Sequence, residues 1–101
     1  MIDELRAKFR GRFISTAQGR VRKALQHVTG TGDPAVVRGE LHSLAGEAAM
    51  LGFDEIASSA RAGELAARRW RDQGDVQGQQ ECAAVLGVLG SQLEQLAALP
   101  G

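Results

Sequence analysis

A chain of 101 residues has room for one hydrophobic core, so residues 1–101 read as a single domain. Hydrophobic residues make up 44% but aromatics only 4%, with no Tyr, so the core must be aliphatic and alanine-rich; that suits packed helices and argues against a β-sandwich. With 12 basic and 12 acidic residues the net charge is zero, which excludes the basic excess of a dedicated nucleic-acid binder.

The first segment carries apolar residues at Ile2, Leu5, Phe9, Phe13, Ala17, Val21, Leu25 and Val28, in helical steps of three and four. It reads as one long helix, or as two in line with a break near Gly11 to Ser15 or at Gly19. The run Thr29–Asp33, TGTGD, stops it. Asp33 before Pro34 is an N-cap followed by a first helical residue. The second helix buries Val37, Leu41, Leu44, Ala48 and Leu51, and Gly52 ends it. Asp54 is placed to cap a third helix with Ile56, Ala60, Gly63, Ala67 and Trp70 in register. Gly74 and Asp75 separate that helix from a fourth. The fourth turns Val76, Ala83, Leu86, Leu89, Leu93 and Leu96 inward and ends at Pro100. Its Gly78, Gly87 and Gly90 each cost about 1 kcal/mol relative to Ala and mark either close helix approach or a frayed start.

No alternating strands or hairpin turns occur. Short connections between helices favour antiparallel neighbours, so the fold class is all-α, an antiparallel up-and-down bundle of at least four helices, with the N-terminal segment as a possible extra element. The single cysteine, Cys82, has no partner for an internal disulfide, which fits a reducing cytoplasm. The start, MIDELRAKFRGRF, has no apolar run of signal-peptide or membrane-span length. The expectation is a cytoplasmic, monomeric domain with no nucleic-acid or membrane partner.

The stretch Leu41–Phe53, LHSLAGEAAMLGF, holds one of the two histidines. At about 100° per residue, Leu41, Leu44, Ala48 and Leu51 fall within about 40° of Val37, and His42 falls roughly 140° away, on the solvent side. Arg38, Ala45, Gly46 and Ala49 lie near it. Side chains on a helix lean toward its N-terminus, so a bulky residue at position 46 would cover His42 and glycine leaves it open. An exposed histidine in a side-chain-poor patch suits a nucleophile that a large partner must reach, and an ordinary imidazole pKa of about 6.5 leaves much of it neutral near pH 7. The plainer reading is a surface histidine among good helix formers.

The string His42-Ser43-Leu44-Ala45-Gly46-Glu47-Ala48-Ala49-Met50-Leu51-Gly52 resembles the signature of the histidine phosphotransfer (HPt) domain family, H-x-L-K-G-x-A-x-x-L-G, with matches at His42, Leu44, Gly46, Ala48, Leu51 and Gly52. Ile56 and Glu64 fall where that family often has an aliphatic and an acidic residue. The resemblance implies a four-helix core and a phosphorelay intermediate. His42 would accept a phosphoryl group on Nε2 from a receiver-domain aspartate and relay it to another response-regulator receiver. The implied partners are receivers, a hybrid sensor histidine kinase, or both. Gly46 would give the partner room, and Arg38, Ala45 and Ala49 would surround the phosphoryl group. The family's lysine three residues after the histidine is replaced by Ala45. Arg38, one turn before His42, is either a substitute charge or simply solvated. No P-loop or Gly-rich nucleotide fingerprint appears, so the chain would carry phosphate rather than take it from ATP. No cofactor or metal is expected on this chain, and Mg²⁺ would come with the receiver. The rivals are a helical adaptor of the same fold that binds a receiver or kinase without phosphoryl transfer, and a generic oligomerising bundle.

Three other features have structural readings. His27 ends the first helix, where the helix dipole favours it. Cys82 reads as a small buried residue. Glu40 and Glu47 lie on another side of the helix from His42 and read as solvent-facing. Arg6, Lys8, Arg10, Arg12, Arg20, Arg22 and Lys23 crowd the first segment against Asp3 and Glu4. That run reads as a solvated face, or as steering for an acidic partner such as a receiver.

Overall fold

The computed structural model describes residues 2–100, with the side chains of residues 4, 5 and 7–100; the expectations placed on Ile2, Asp3 and Arg6 lie outside the described side chains. Four helices run in order: α1 (Ile2–His27), α2 (Pro34–Met50), α3 (Asp54–Gln73) and α4 (Val76–Ala97). Short turns join them, and α1 packs on α2 and α4, while α3 packs on α2 and α4. This is the up-and-down bundle that the short connections require. None of the described helices is long and apolar enough to cross a membrane.

Local chemistry sets the boundaries. Asp33 Oδ1 accepts a hydrogen bond from the Ala35 N–H at 2.9 Å, and Asp75 Oδ1 accepts from the Gln77 N–H at 3.0 Å, so α2 and α4 both start at an acidic N-cap. Gly52 (φ 79°) and Gly74 (φ 63°) take left-handed conformations just past α2 and α3, which a side chain would resist. His27 Nδ1 accepts from the Asp33 N–H at 3.3 Å and ties the end of α1 to the start of α2. Asp54 is the first residue of α3 rather than its cap, and with Glu55 it puts negative charge in the first turn.

One apolar cluster fills the bundle, built from Phe13, Ala17, Val21 and Ala24 of α1, the Val37–Leu41–Leu44–Ala48 stripe of α2, Ile56, Ala60 and Ala67 of α3, and Cys82, Leu86, Leu89 and Leu93 of α4. Phe13 and Phe53 meet with ring centroids 5.1 Å apart.

The structure settles three further points about the helices. First, α1 is one unbroken helix, and Leu5 and Leu25 of its stripe are exposed. Each step of four overshoots a full turn by about 40°, so a stripe built almost wholly from such steps winds around the helix and its ends leave the core. Ala24 takes the inward place beside Leu25. Second, Val76 and Ala83 of α4 face solvent. Both stand more than about 90° from the Leu89–Leu93 line, whereas Cys82 and Gly78 lie on it. Third, the three α4 glycines differ. A Cβ on Gly78 would come 2.7 Å from the Ala66 carbonyl oxygen, so this glycine permits close contact with α3; Cβ atoms on Gly87 and Gly90 would meet nothing within 4 Å.

Glu40 and Glu47 do not face solvent freely. Arg20 of α1 forks onto Glu47, with Nε 2.8 Å from Oε1 and Nη2 3.1 Å from Oε2, and its Nη1 lies 3.1 Å from Glu40 Oε1. Lys23 Nζ adds a 3.6 Å contact to Glu40. The Glu47 hydrogen bonds, followed by those to Glu40, raise the Arg20 pKa against the opposing effect of burial. The basic run is therefore partly used within the fold. Arg10 reaches the Leu99 and Pro100 carbonyls at 3.4 Å, and Lys8 lies 5.7 Å from the Phe9 ring centroid.

Candidate functional site

His42 projects from the middle of α2 with 66% of its side chain exposed, on the open side that its helical phase indicates. Its neighbour across the α2–α3 seam is Glu64, whose side chain is only 12% exposed. His42 Nδ1 lies 2.9 Å from Glu64 Oε2. An ionised carboxylate only accepts hydrogen bonds, so Nδ1 carries the proton and donates it. In the neutral ring the lone pair is then on Nε2, away from Glu64 and toward solvent.

The same Glu64 oxygen meets two guanidinium groups. Arg68 Nη2, one turn further along α3, is 3.5 Å away, and Arg38 Nη1, one turn before His42 on α2, is 3.6 Å away. These cations offset the charge of a carboxylate that burial alone would disfavour. Arg38 is thus committed first to Glu64. Its Nε is buried without a hydrogen-bond partner among the described residues.

Gly46 follows His42 by one turn, and a Cβ there would meet nothing within 4 Å. Ala49 is exposed beside it. Ala45 departs from the expected open patch: it is buried in the core cluster. It lies about 60° from His42 on the flank toward the Val37–Leu41 stripe. His42, Arg38, Gly46 and Ala49 are therefore gathered at one surface, and Ala45 lies beneath it.

A family model described as the Hpt domain matches residues 8–99. The chain belongs to the Hpt domain family. Hpt domains carry out histidine phosphotransfer in phosphorelays, and they work with response-regulator receivers and kinases. No curated protein and no solved structure gives a match.

Within this Hpt domain, Glu64 and Arg68 are the site neighbours that the reading of α2 alone leaves out. The sequence held a signal for both. Glu64 adjoins Gly63 on the inward stripe of α3, where a carboxylate must find partners, and Arg68 follows it at the i, i+4 spacing of a helical ion pair. What the sequence lacked was the register of α3 against α2, which brings Glu64 to His42. His27 and Cys82 stand outside the site. The Cys82 Sγ donates to the Gly63 carbonyl at 3.5 Å, and burial pushes its thiol pKa up to about 11, so it is a poor thiolate nucleophile.

Proposed function

We propose that His42 is the phosphoacceptor of this Hpt domain and that Nε2 is the atom that takes the phosphoryl group. The supporting observation is the 2.9 Å contact between His42 Nδ1 and Glu64 on an otherwise exposed ring. It fixes the ring's orientation and directs the Nε2 lone pair outward, where a docked receiver presents its aspartyl phosphate. The Nε2 lone pair attacks phosphorus, and the bond from phosphorus to the aspartate oxygen breaks. The electron pair leaves on that oxygen and regenerates the receiver's carboxylate. The proton stays on Nδ1, where Glu64 stabilises the positive charge that builds on the ring as it is phosphorylated. Transfer to a second receiver is the reverse of this step. Mg²⁺ enters with the receiver. Residues 1–101 act as one cytoplasmic, monomeric carrier domain, and Arg38, Gly46 and Ala49 border the docking surface. Ala45 contributes through packing.

Phosphorylated receiver domains mixed with the protein in the presence of Mg²⁺ test this reading beside a His42→Gln control. The wild type is expected to gain an acid-labile, alkali-stable label and the control none, with the same thermal unfolding midpoint. Equal labelling of both would refute the assignment. Receiver binding without label would favour the non-transferring adaptor.

A further inference from the structure

Gly63 and Leu41 sit one residue before Glu64 and His42 on α3 and α2. Both are buried. The two helices that meet at the surface through His42 and Glu64 also approach one residue earlier, inside the core, at Leu41 and Gly63. A Cβ on residue 63 would stand 2.8 Å from Leu41 Cδ1, 2.8 Å from Val85 Cγ1 and 3.4 Å from Val85 Cβ. Carbon atoms in comfortable contact are about 3.5–4.0 Å apart, so there is no space for that atom. Leu41 is fully buried and can turn its end only by displacing packed neighbours. Val85 is β-branched and stiff at χ1. From the α4 side, the Cys82 thiol also holds the Gly63 carbonyl.

We infer that Gly63 is a positioning residue for phosphoryl transfer: its missing side chain sets the α2–α3 spacing at which Glu64 reaches His42 Nδ1. The inference rests on His42 as phosphoacceptor. An N–H···O bond weakens beyond about 3.2 Å, and the present separation is 2.9 Å. A shift of α3 by a few tenths of an ångström is enough to loosen the bond. Without it Glu64 no longer selects the Nδ1–H form, and the neutral ring gains the Nε2–H form, in which the attacking lone pair is absent. Gly46 is the useful contrast, because a Cβ there meets nothing and cannot move a helix.

The test combines histidine-ring ¹⁵N NMR at alkaline pH, where an ordinary imidazole is neutral, with the rate of transfer from a phosphorylated receiver. Wild-type His42 is expected to show protonated Nδ1 and unprotonated Nε2. Gly63→Ala is expected to shift the ring toward the Nε2–H form and to slow transfer on the order of tenfold. Adding Leu41→Val and Val85→Ala together to Gly63→Ala removes both contacts and is expected to restore both readouts. Gly63→Ala with Val85→Ala removes the clash on the α4 side, keeps the Leu41 contact, and serves should the single variant fail to fold; it is expected to show the same ring shift. Wild-type ring signals and transfer rate in Gly63→Ala, or in Gly63→Ala with Val85→Ala should the single variant fail to fold, would overturn the inference, whatever the melting temperature. The ring signals need no partner. A wild type that no receiver phosphorylates would refute the His42 assignment, while the effect of Gly63 on the tautomer would still be read directly.

Discussion

Helix α2 carries a carboxylate–guanidinium cluster on each flank, and the two are built differently. On the α1 side, Arg20 forks onto Glu47 and bridges to Glu40 with contacts of 2.8–3.1 Å. Every strong group there meets an opposite group, and the result is a link between helices. On the α3 side, one carboxylate oxygen serves His42 at 2.9 Å and two arginines at 3.5 and 3.6 Å. Its short bond goes to an exposed imidazole, and the guanidiniums hold the carboxylate by single, longer contacts. The same residue types thus hold a helix in place on one flank and orient an exposed imidazole on the other. Bidentate geometry favours the first task, and a shared acceptor beside an open ring favours the second.

The largest expected break in this comparison is at Glu64. Glu64→Ala removes the acceptor for Nδ1 and is expected to slow phosphoryl transfer by about 10- to 100-fold, whereas Glu64→Gln keeps a carbonyl acceptor and is expected to lose less. Single-turnover transfer from a phosphorylated receiver measures the difference; equal losses would mean that charge, and not orientation, is what Glu64 supplies. Arg20→Ala tests the other flank. It should destabilise the fold by about 1–2 kcal/mol and leave the transfer rate unchanged, because its partners face away from His42. Urea unfolding and the same transfer assay report on the two halves of that expectation.

The comparison also marks what was legible in the sequence. The helix boundaries were, because Asp33, Pro34, Gly52, Gly74 and Asp75 act on their immediate neighbours. The exposure of His42 followed from helical phase alone. Ala45 did not, since an angle around α2 says nothing about where α3 stands. Glu64 could be flagged as a carboxylate needing partners, but its pairing with His42 depends on the register of two helices and on residues 22 positions apart. Arg20 was misread for the same reason: a charge run along one helix does not reveal the glutamates opposite it. Leu5 and Leu25 failed because their spacing winds around α1 beyond the surface that α2 and α4 cover.

Smaller changes sharpen the picture. Gly46→Leu is expected to slow transfer by crowding the ring, whereas Gly46→Ala adds a Cβ in open space and should raise stability by up to about 1 kcal/mol through helix propensity. Thermal unfolding and transfer rates separate these effects, and a Gly46→Leu protein that folds and transfers at the wild-type rate would remove the steric role. The smallest expected effect concerns Cys82. Its folded pKa is raised to about 11 from an ordinary value of 9.0, so its contribution to stability is complete below about pH 9 and is lost as pH rises toward 11. Below pH 9 the native thiol should resist a disulfide reagent until the protein unfolds, and Cys82→Ala should flatten the alkaline fall in stability. Rapid labelling of the native protein would contradict the buried placement of Cys82.

The central claim is that Glu64 presents Nε2 of His42 for phosphorylation. It is tested most directly by locating the phosphorus atom in the phosphorylated protein by combined ³¹P and ¹⁵N NMR. The expected result is a phosphorus bonded to Nε2 of His42, with the proton retained on Nδ1. A phosphoryl group on Nδ1, or on any residue other than His42, would contradict the account.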